Sequence, residues 1–126
     1  MAMALDDVYK IILSSNIRRL MRENNISSVE LSEKSGVSIA FFNALVNGRE
    51  NPSLRIIAQI AQALNTPLPM LLDDTDMDIK TMESLAQQKL YEFPDELVWQ
   101  GGVLNKYQAF QVRQWSKENK KTLLDK

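Results

Sequence analysis

Few side chains in this 126-residue chain could do covalent chemistry. It contains no His and no Cys. The commonest general base, the commonest metal ligand and every thiolate site are therefore missing. Carboxylates remain, and Asp73, Asp74, Asp76 and Asp78 crowd into one short stretch. A cation loop would also need Gly and further oxygen ligands at fixed spacing, which this stretch lacks. The run reads as a solvated linker. With no nucleophile–base pair, phosphate loop or metal set, an enzyme, a bound metal and a cofactor are not expected. What is left acts by recognition. Trp99, Tyr107, Phe110 and Trp115 suit a core or an interface, with an aromatic ligand pocket as the sharper alternative. Lys117, Lys120 and Lys121 suit a solvated face, with phosphate contact as the alternative.

The elements that must position these groups read as helices. Val8, Ile11, Ile12, Leu13, Ile17, Leu20 and Met21 recur at helical spacing over roughly residues 5–24. Asp6 and Asp7 sit in the first turn, where the helix dipole favours anions. Ser27 or Ser28 caps a short second helix ending near Lys34, and Glu30 lies at capping-box spacing from Ser27. Gly36 suits the left-handed position that ends it. Ser38 caps a third helix through Val46, stopped by Asn47-Gly48. Ser53 caps a fourth, with Leu54, Ile57, Ile60, Ala61 and Leu64 on one side. Thr66-Pro67 opens a short fifth helix ending at Leu71-Leu72. Two more helices are expected over 79–91 and 103–119, with residues 120–126 frayed. The organisation expected is therefore 1–72 as one domain, 73–78 as an acidic linker and 79–126 as a helical segment. Hydrophobic residues make up 44%, enough for a packed core. No apolar run reaches the roughly 18 residues of a membrane span, and the N-terminus lacks a signal-peptide apolar region, so a cytoplasmic protein without membrane contact is expected.

The turn between the second and third helices carries the most information. Leu31 anchors the second helix, Gly36 sits in the turn, Val37 follows as an apolar plug, and Phe42 and Leu45 face inward from the third. So short a connection forces a steep crossing, as in a helix-turn-helix. Such a unit lays its second helix in the DNA major groove.

The stretch from Asn16-Ile17-Arg18-Arg19-Leu20 to Leu71-Leu72 resembles the phage-repressor-like (Cro/XRE) helix-turn-helix family. The matching pieces are Val29-Glu30-Leu31-Ser32, Ser35-Gly36-Val37-Ser38, Asn47-Gly48-Arg49, Asn51-Pro52-Ser53 and the run Ile57 to Leu64. The resemblance implies an all-α, five-helix lambda-repressor-like domain with a C-terminal helical extension. It implies base contacts from Ile39, Ala40, Asn43 and Ala44. Asn43 is the hydrogen-bonding side chain of the four and suits adenine, while Ile39 and Ala40 suit thymine methyls or pack under the protein's own loop. It implies phosphate contacts from Arg18, Ser28, Ser38, Asn47, Arg49 and Asn51. Two positions depart from the family. Ser28 stands where Gln is common and is too short both to brace a base contact and to touch phosphate. Val46 stands where a glutamate often pairs with the arginine at Arg18, so Arg18 is expected to turn out to phosphate or to find Glu50. Phe41 is expected near the groove-facing side.

The charge balance is −1 overall, with 15 Lys+Arg against 16 Asp+Glu. A faint basic footprint predicts modest non-specific affinity, with about 3–5 phosphates per subunit, and binding by two subunits on one site. The resemblance therefore implies a DNA-binding regulator of double-stranded DNA, a homodimeric repressor on a palindromic operator. Trp99, Tyr107, Phe110 and Trp115 form the dimer or partner interface. The alternative is an antitoxin-like module whose residues 79–126 bind a partner protein. The tail is too short for the self-cleaving peptidase domain of some larger phage-type repressors.

Overall fold

The first helix, α1 (Leu5–Asn24), has no side-chain cap at Ala4 and starts instead on Asp6 and Asp7. Both lie near the Lys10 ammonium, at 3.8 and 3.1 Å. Such exposed pairs contribute well under about 1 kcal/mol. What fixes α1 is its apolar stripe, in which Val8, Ile12, Leu13, Ile17 and Leu20 are all buried. Asn25 ends the helix in the left-handed conformation, and the Ile26 amide returns to the Met21 carbonyl.

Three serines then start three helices in the same way. The hydroxyls of Ser27, Ser38 and Ser53 accept the amides of Glu30, Phe41 and Ile56, opening α2 (Ser28–Ser35), α3 (Ile39–Val46) and α4 (Leu54–Ala63). Ser27, not Ser28, is the cap of α2, and its hydroxyl also donates to the Glu30 carboxylate at 3.2 Å. A 3-10 turn, Leu68–Leu72, replaces the short fifth helix. Helices α5 (Ile79–Ala86) and α6 (Lys106–Leu124) complete the chain. The structure, a computed structural model, describes residues 1–124; among them there are six α-helices and no strand. The chain is all-α, as expected.

By contact, the chain divides into the units Met1–Leu90 and Tyr91–Lys126. In the first, Leu13, Ile17 and Leu20 of α1 meet Leu31, Val37, Phe42, Leu45, Ile60, Ala61, Leu64 and Leu71 in one core. Further up α1, Val8 and Ile12 pack with Met82 and Ala86 of α5. Residues 79–90 therefore belong with the helix-turn-helix unit, whereas the sequence grouped them with the tail.

The acidic run is ordered by α1. Asn16 is 1% exposed, and its Nδ2 donates to the Leu71 and Asp73 carbonyls, each at 2.9 Å. Its Oδ1 accepts from Arg19 at 3.1 Å. Asp76 accepts from Ser15 and from Arg19 Nε. Burial works against the Arg19 charge, but hydrogen bonds to Asp76 and Glu23 outweigh it and hold the guanidinium above its ordinary value. Asp78 caps α5 through the Thr81 amide at 2.8 Å, a bond that holds its carboxyl below the ordinary value. The segment 73–78 is a strap closed on α1, where a solvated linker was expected. Asn16→Leu is expected to destabilise this unit by about 2–4 kcal/mol, because two backbone carbonyls lose their donor. Thermal unfolding followed by circular dichroism reads that loss directly.

In the second unit, α6 starts at Lys106 and not at Val103. Asn105 sets that point: its Oδ1 accepts the Gln108 amide at 2.8 Å and its own amide donates to Gln108 Oε1 at 3.1 Å. The helix continues to Leu124, through most of the stretch expected to fray; residues 125 and 126 of that stretch lie outside the described residues. Likewise α5 ends at Ala86, not at 91, because Gln87 turns left-handed.

Candidate nucleic-acid interface

The turn between α2 and α3 is built from small side chains. Gly36 takes φ +75, a conformation that L side chains rarely adopt, and its amide closes on the Ser32 carbonyl. Ser35, nearly buried, donates to the Ser32 carbonyl and accepts from the Val37 amide. Ser32 donates in turn to the Val37 carbonyl. Val37 plugs the core. Sequence reasoning used Ser32 and Ser35 only as part of a motif; the structure makes them the lock that sets the angle of α3. Two serines three apart, the second directly before a Gly at a helix end, were the available signal.

With that angle fixed, α3 has two unlike faces. Phe42 and Leu45 are fully buried. Ile39, Ala40 and Asn43 are exposed on the opposite side, and Ala44 is half-buried at its edge. The four residues expected to meet bases thus share one outward surface, three of them openly. No ion pair or side-chain hydrogen bond within the described residues occupies the Asn43 amide. Phe41 is not on that surface. It is half-buried against the core and lines a shallow recess with Val37, Ile56 and Gln59.

Around α3 lie the groups expected to meet phosphate. Ser38, Asn47, Arg49 and Asn51 are exposed, and Ser28 is half-buried at the first position of α2. Asn47 caps the end of α3, with Nδ2 donating to the Asn43 carbonyl at 2.8 Å. Gly48 at φ +72 and the Arg49 amide, bonded to the Ala44 carbonyl at 2.8 Å, then turn the chain away. Arg18, exposed, does not find Glu50. Its guanidinium donates to the Val46 carbonyl and to Asn47 Oδ1, the latter at 3.1 Å. The reason is local: without a glutamate at Val46, the nearest acceptors are the carbonyl end of α3 and its cap, where the helix dipole also favours a cation. Arg18 braces α3.

Comparison with known proteins now decides the family. A family model for the Cro/C1-type HTH DNA-binding domain matches residues 16–75. An uncharacterised HTH-type transcriptional regulator, y4dJ of Sinorhizobium fredii, is 34% identical over 65 residues, covering 52% of this chain and 84% of that protein. Control protein C.SmaI of Serratia marcescens is 35% identical over 63 residues, covering 50% of this chain and 75% of that protein. The chain belongs to the Cro/C1-type helix-turn-helix family. No solved structure matches it. As a Cro/C1-type protein it is a DNA-binding transcriptional regulator, and double-stranded DNA is its partner. Among the described residues, no helix of this regulator is long and apolar enough to cross a membrane.

The matched region stops short of α5 and α6. In the second unit of this Cro/C1-type regulator, the Trp99 amide donates to the Tyr91 hydroxyl and the Tyr91 and Phe93 rings meet edge-on at 4.7 Å. The indole of Trp99 is nonetheless open, as are Tyr107, Phe110 and Trp115: these four residues are 68, 71, 57 and 58% exposed. Helix α6 buries none of its residues.

Proposed function

We propose that this regulator is a repressor that binds a palindromic operator as a homodimer, with α3 of each subunit in the major groove. One observation carries the reading: α3 is pinned on one side by Phe42 and Leu45 and bares Ile39, Ala40 and Asn43 on the other. A rigid helix with a small, open outer face can enter a groove closely. Asn43 bonds adenine through N6 and N7, Ile39 and Ala40 touch thymine methyls, and Ala44 lies at the edge of the contact. Ser28, Ser38, Asn47, Arg49 and Asn51 hold phosphates and fix the register. Two subunits place their α3 helices about 34 Å apart on one face of the duplex. The open rings of Trp99, Tyr107, Phe110 and Trp115 supply the apolar surface for pairing, which large exposed patches generally mark. Occupying a promoter in this way blocks it sterically, and that requires nothing beyond binding.

The test is selection of bound sites from random DNA by the full chain, with Asn43→Ala alongside. A two-fold motif containing A·T pairs is expected. Asn43→Ala is expected to relax the preference at one position of each half-site by about 1–3 kcal/mol, with other positions kept. Binding without any motif, or a motif indifferent to Asn43, overturns the assignment of α3. Sedimentation of the free protein as a dimer, and its conversion to monomer by Tyr107→Ser with Trp115→Ser, tests the pairing. A stable monomer that co-purifies with a stoichiometric protein would move the tail to partner binding instead.

A further inference from the structure

We propose that α6 is a second DNA-contacting element, a basic stripe that follows the phosphate backbone. The proposal rests on the DNA-binding character of the chain and goes beyond it in naming where the electrostatic grip resides. The starting point is a mismatch. The unit that carries the helix-turn-helix, residues 1–90, has 9 Lys+Arg against 11 Asp+Glu, net −2. Two of its cations, Lys10 and Arg19, are already ion-paired, and Arg18 is tied to the end of α3. Binding to DNA draws most of its sequence-independent strength from cations that displace counterions. That unit is poorly supplied with them.

Helix α6 holds Lys106, Arg113, Lys117, Lys120 and Lys121 against the single acid Glu118, net +4 over Lys106–Leu124. At about 100° per residue, Lys106, Arg113, Lys117 and Lys120 fall within roughly 60° of one another, with Lys121 beside them. The stripe is about 21 Å long at 1.5 Å per residue, the length over which one DNA strand presents roughly six phosphates. None of the five cations is ion-paired among the described residues. Arg113–Lys117 and Lys117–Lys121 are like-charged at i,i+4, an arrangement that weakens an isolated helix. A polyanion laid along the stripe relieves that repulsion. Tyr107 and Trp115 lie about 100° and 180° around the helix from Lys106, whereas Phe110 falls beside Lys117, so pairing centred on Tyr107 and Trp115 leaves the cations open. A basic helix bearing aromatic residues also fits an anionic membrane surface; the cation count of residues 1–90 favours DNA, and vesicles serve as the rival probe.

The experiment compares the full chain with the variant Arg113→Gln, Lys117→Gln, Lys120→Gln, Lys121→Gln, on the selected site and on random DNA, over a series of salt concentrations. The plot of log affinity against log salt is expected to flatten by about 2–4 for the variant, since each phosphate contact contributes about 0.9. Specific and random DNA should weaken in parallel, with the motif unchanged. A charge-keeping variant, Lys117→Arg, Lys120→Arg, Lys121→Arg, is expected to keep the wild-type slope, which a merely structural loss would not explain. An unchanged slope in the glutamine variant overturns the proposal, as does flattening shared by the arginine variant. Charge-dependent binding to phosphatidylserine vesicles with an unchanged DNA slope also overturns it and assigns the stripe to a membrane. Because the wild-type motif is measured in the same series, failure of α6 is distinct from failure of α3: the first leaves the motif and slope intact, the second leaves no motif.

Discussion

Phe42→Ala is expected to be the most destabilising single substitution in the helix-turn-helix unit. Phe42 is fully buried at the centre of the core, where α3 meets residues of α1, α2 and α4. Truncating a buried Phe costs about 3–5 kcal/mol, partly in lost transfer energy and partly in the cavity left behind. Small domains hold only about 5–15 kcal/mol in total. For a unit of this size the melting temperature should fall on the order of 20 °C. Circular dichroism at 222 nm through a thermal ramp measures it. Phe42→Leu, which keeps most of the volume, should recover all but about 1.5 kcal/mol. If Phe42→Ala melts like the parent, the two-faced description of α3 is wrong, and with it the claim that the core fixes the reading surface.

The inward placement of Phe42 and Leu45 was legible because local signals agreed. Ser38 and Asn47-Gly48 bound α3 tightly, and within those eight residues Phe42 and Leu45 lie three apart on one face. Caps at Ser38 and Ser53 and turns at Gly36 and Gly48 are likewise short-range events, written in adjacent residues. What was hidden depends on partners far along the chain. Asn16 reads as a surface residue in any helical pattern; it is buried because the carbonyls of Leu71 and Asp73, more than fifty residues away, need a donor. Asp76 reads as linker charge until Arg19 and Ser15 are opposite it. Arg18 could be assigned a direction only by knowing that the end of α3 lies beside it. The start of α6 was different. Asn105 and Gln108 carry a capping box in the sequence, and the apolar Val103-Leu104 drew the boundary to the wrong place.

Ala40→Glu, two residues from Phe42 and on the other face, is expected to do the reverse: keep the fold and abolish DNA binding. Ala40 is exposed at the second position of α3, whose first turn holds no acidic residue. A carboxylate there meets the positive end of the helix dipole, which stabilises by about 0.3–1 kcal/mol. Melting temperature should therefore hold or rise slightly. In the proposed complex the same carboxylate lies in a groove walled by phosphates. Like charges set together on binding cost several kcal/mol, so affinity for the selected site should fall by about two to three orders of magnitude. Fluorescence anisotropy with labelled duplex reads the loss, and the melt run on the same sample excludes unfolding as its cause. Ala40→Lys separates charge from bulk: it should bind random DNA at least as well as the parent while losing preference for the selected motif, since a cation gains from any backbone but does not replace a methyl contact. Ala40→Glu with parental affinity would remove α3 from the groove altogether. Paired with Phe42→Ala, it tests the central physical claim, that one short helix is held by its buried face so that its bare face can read.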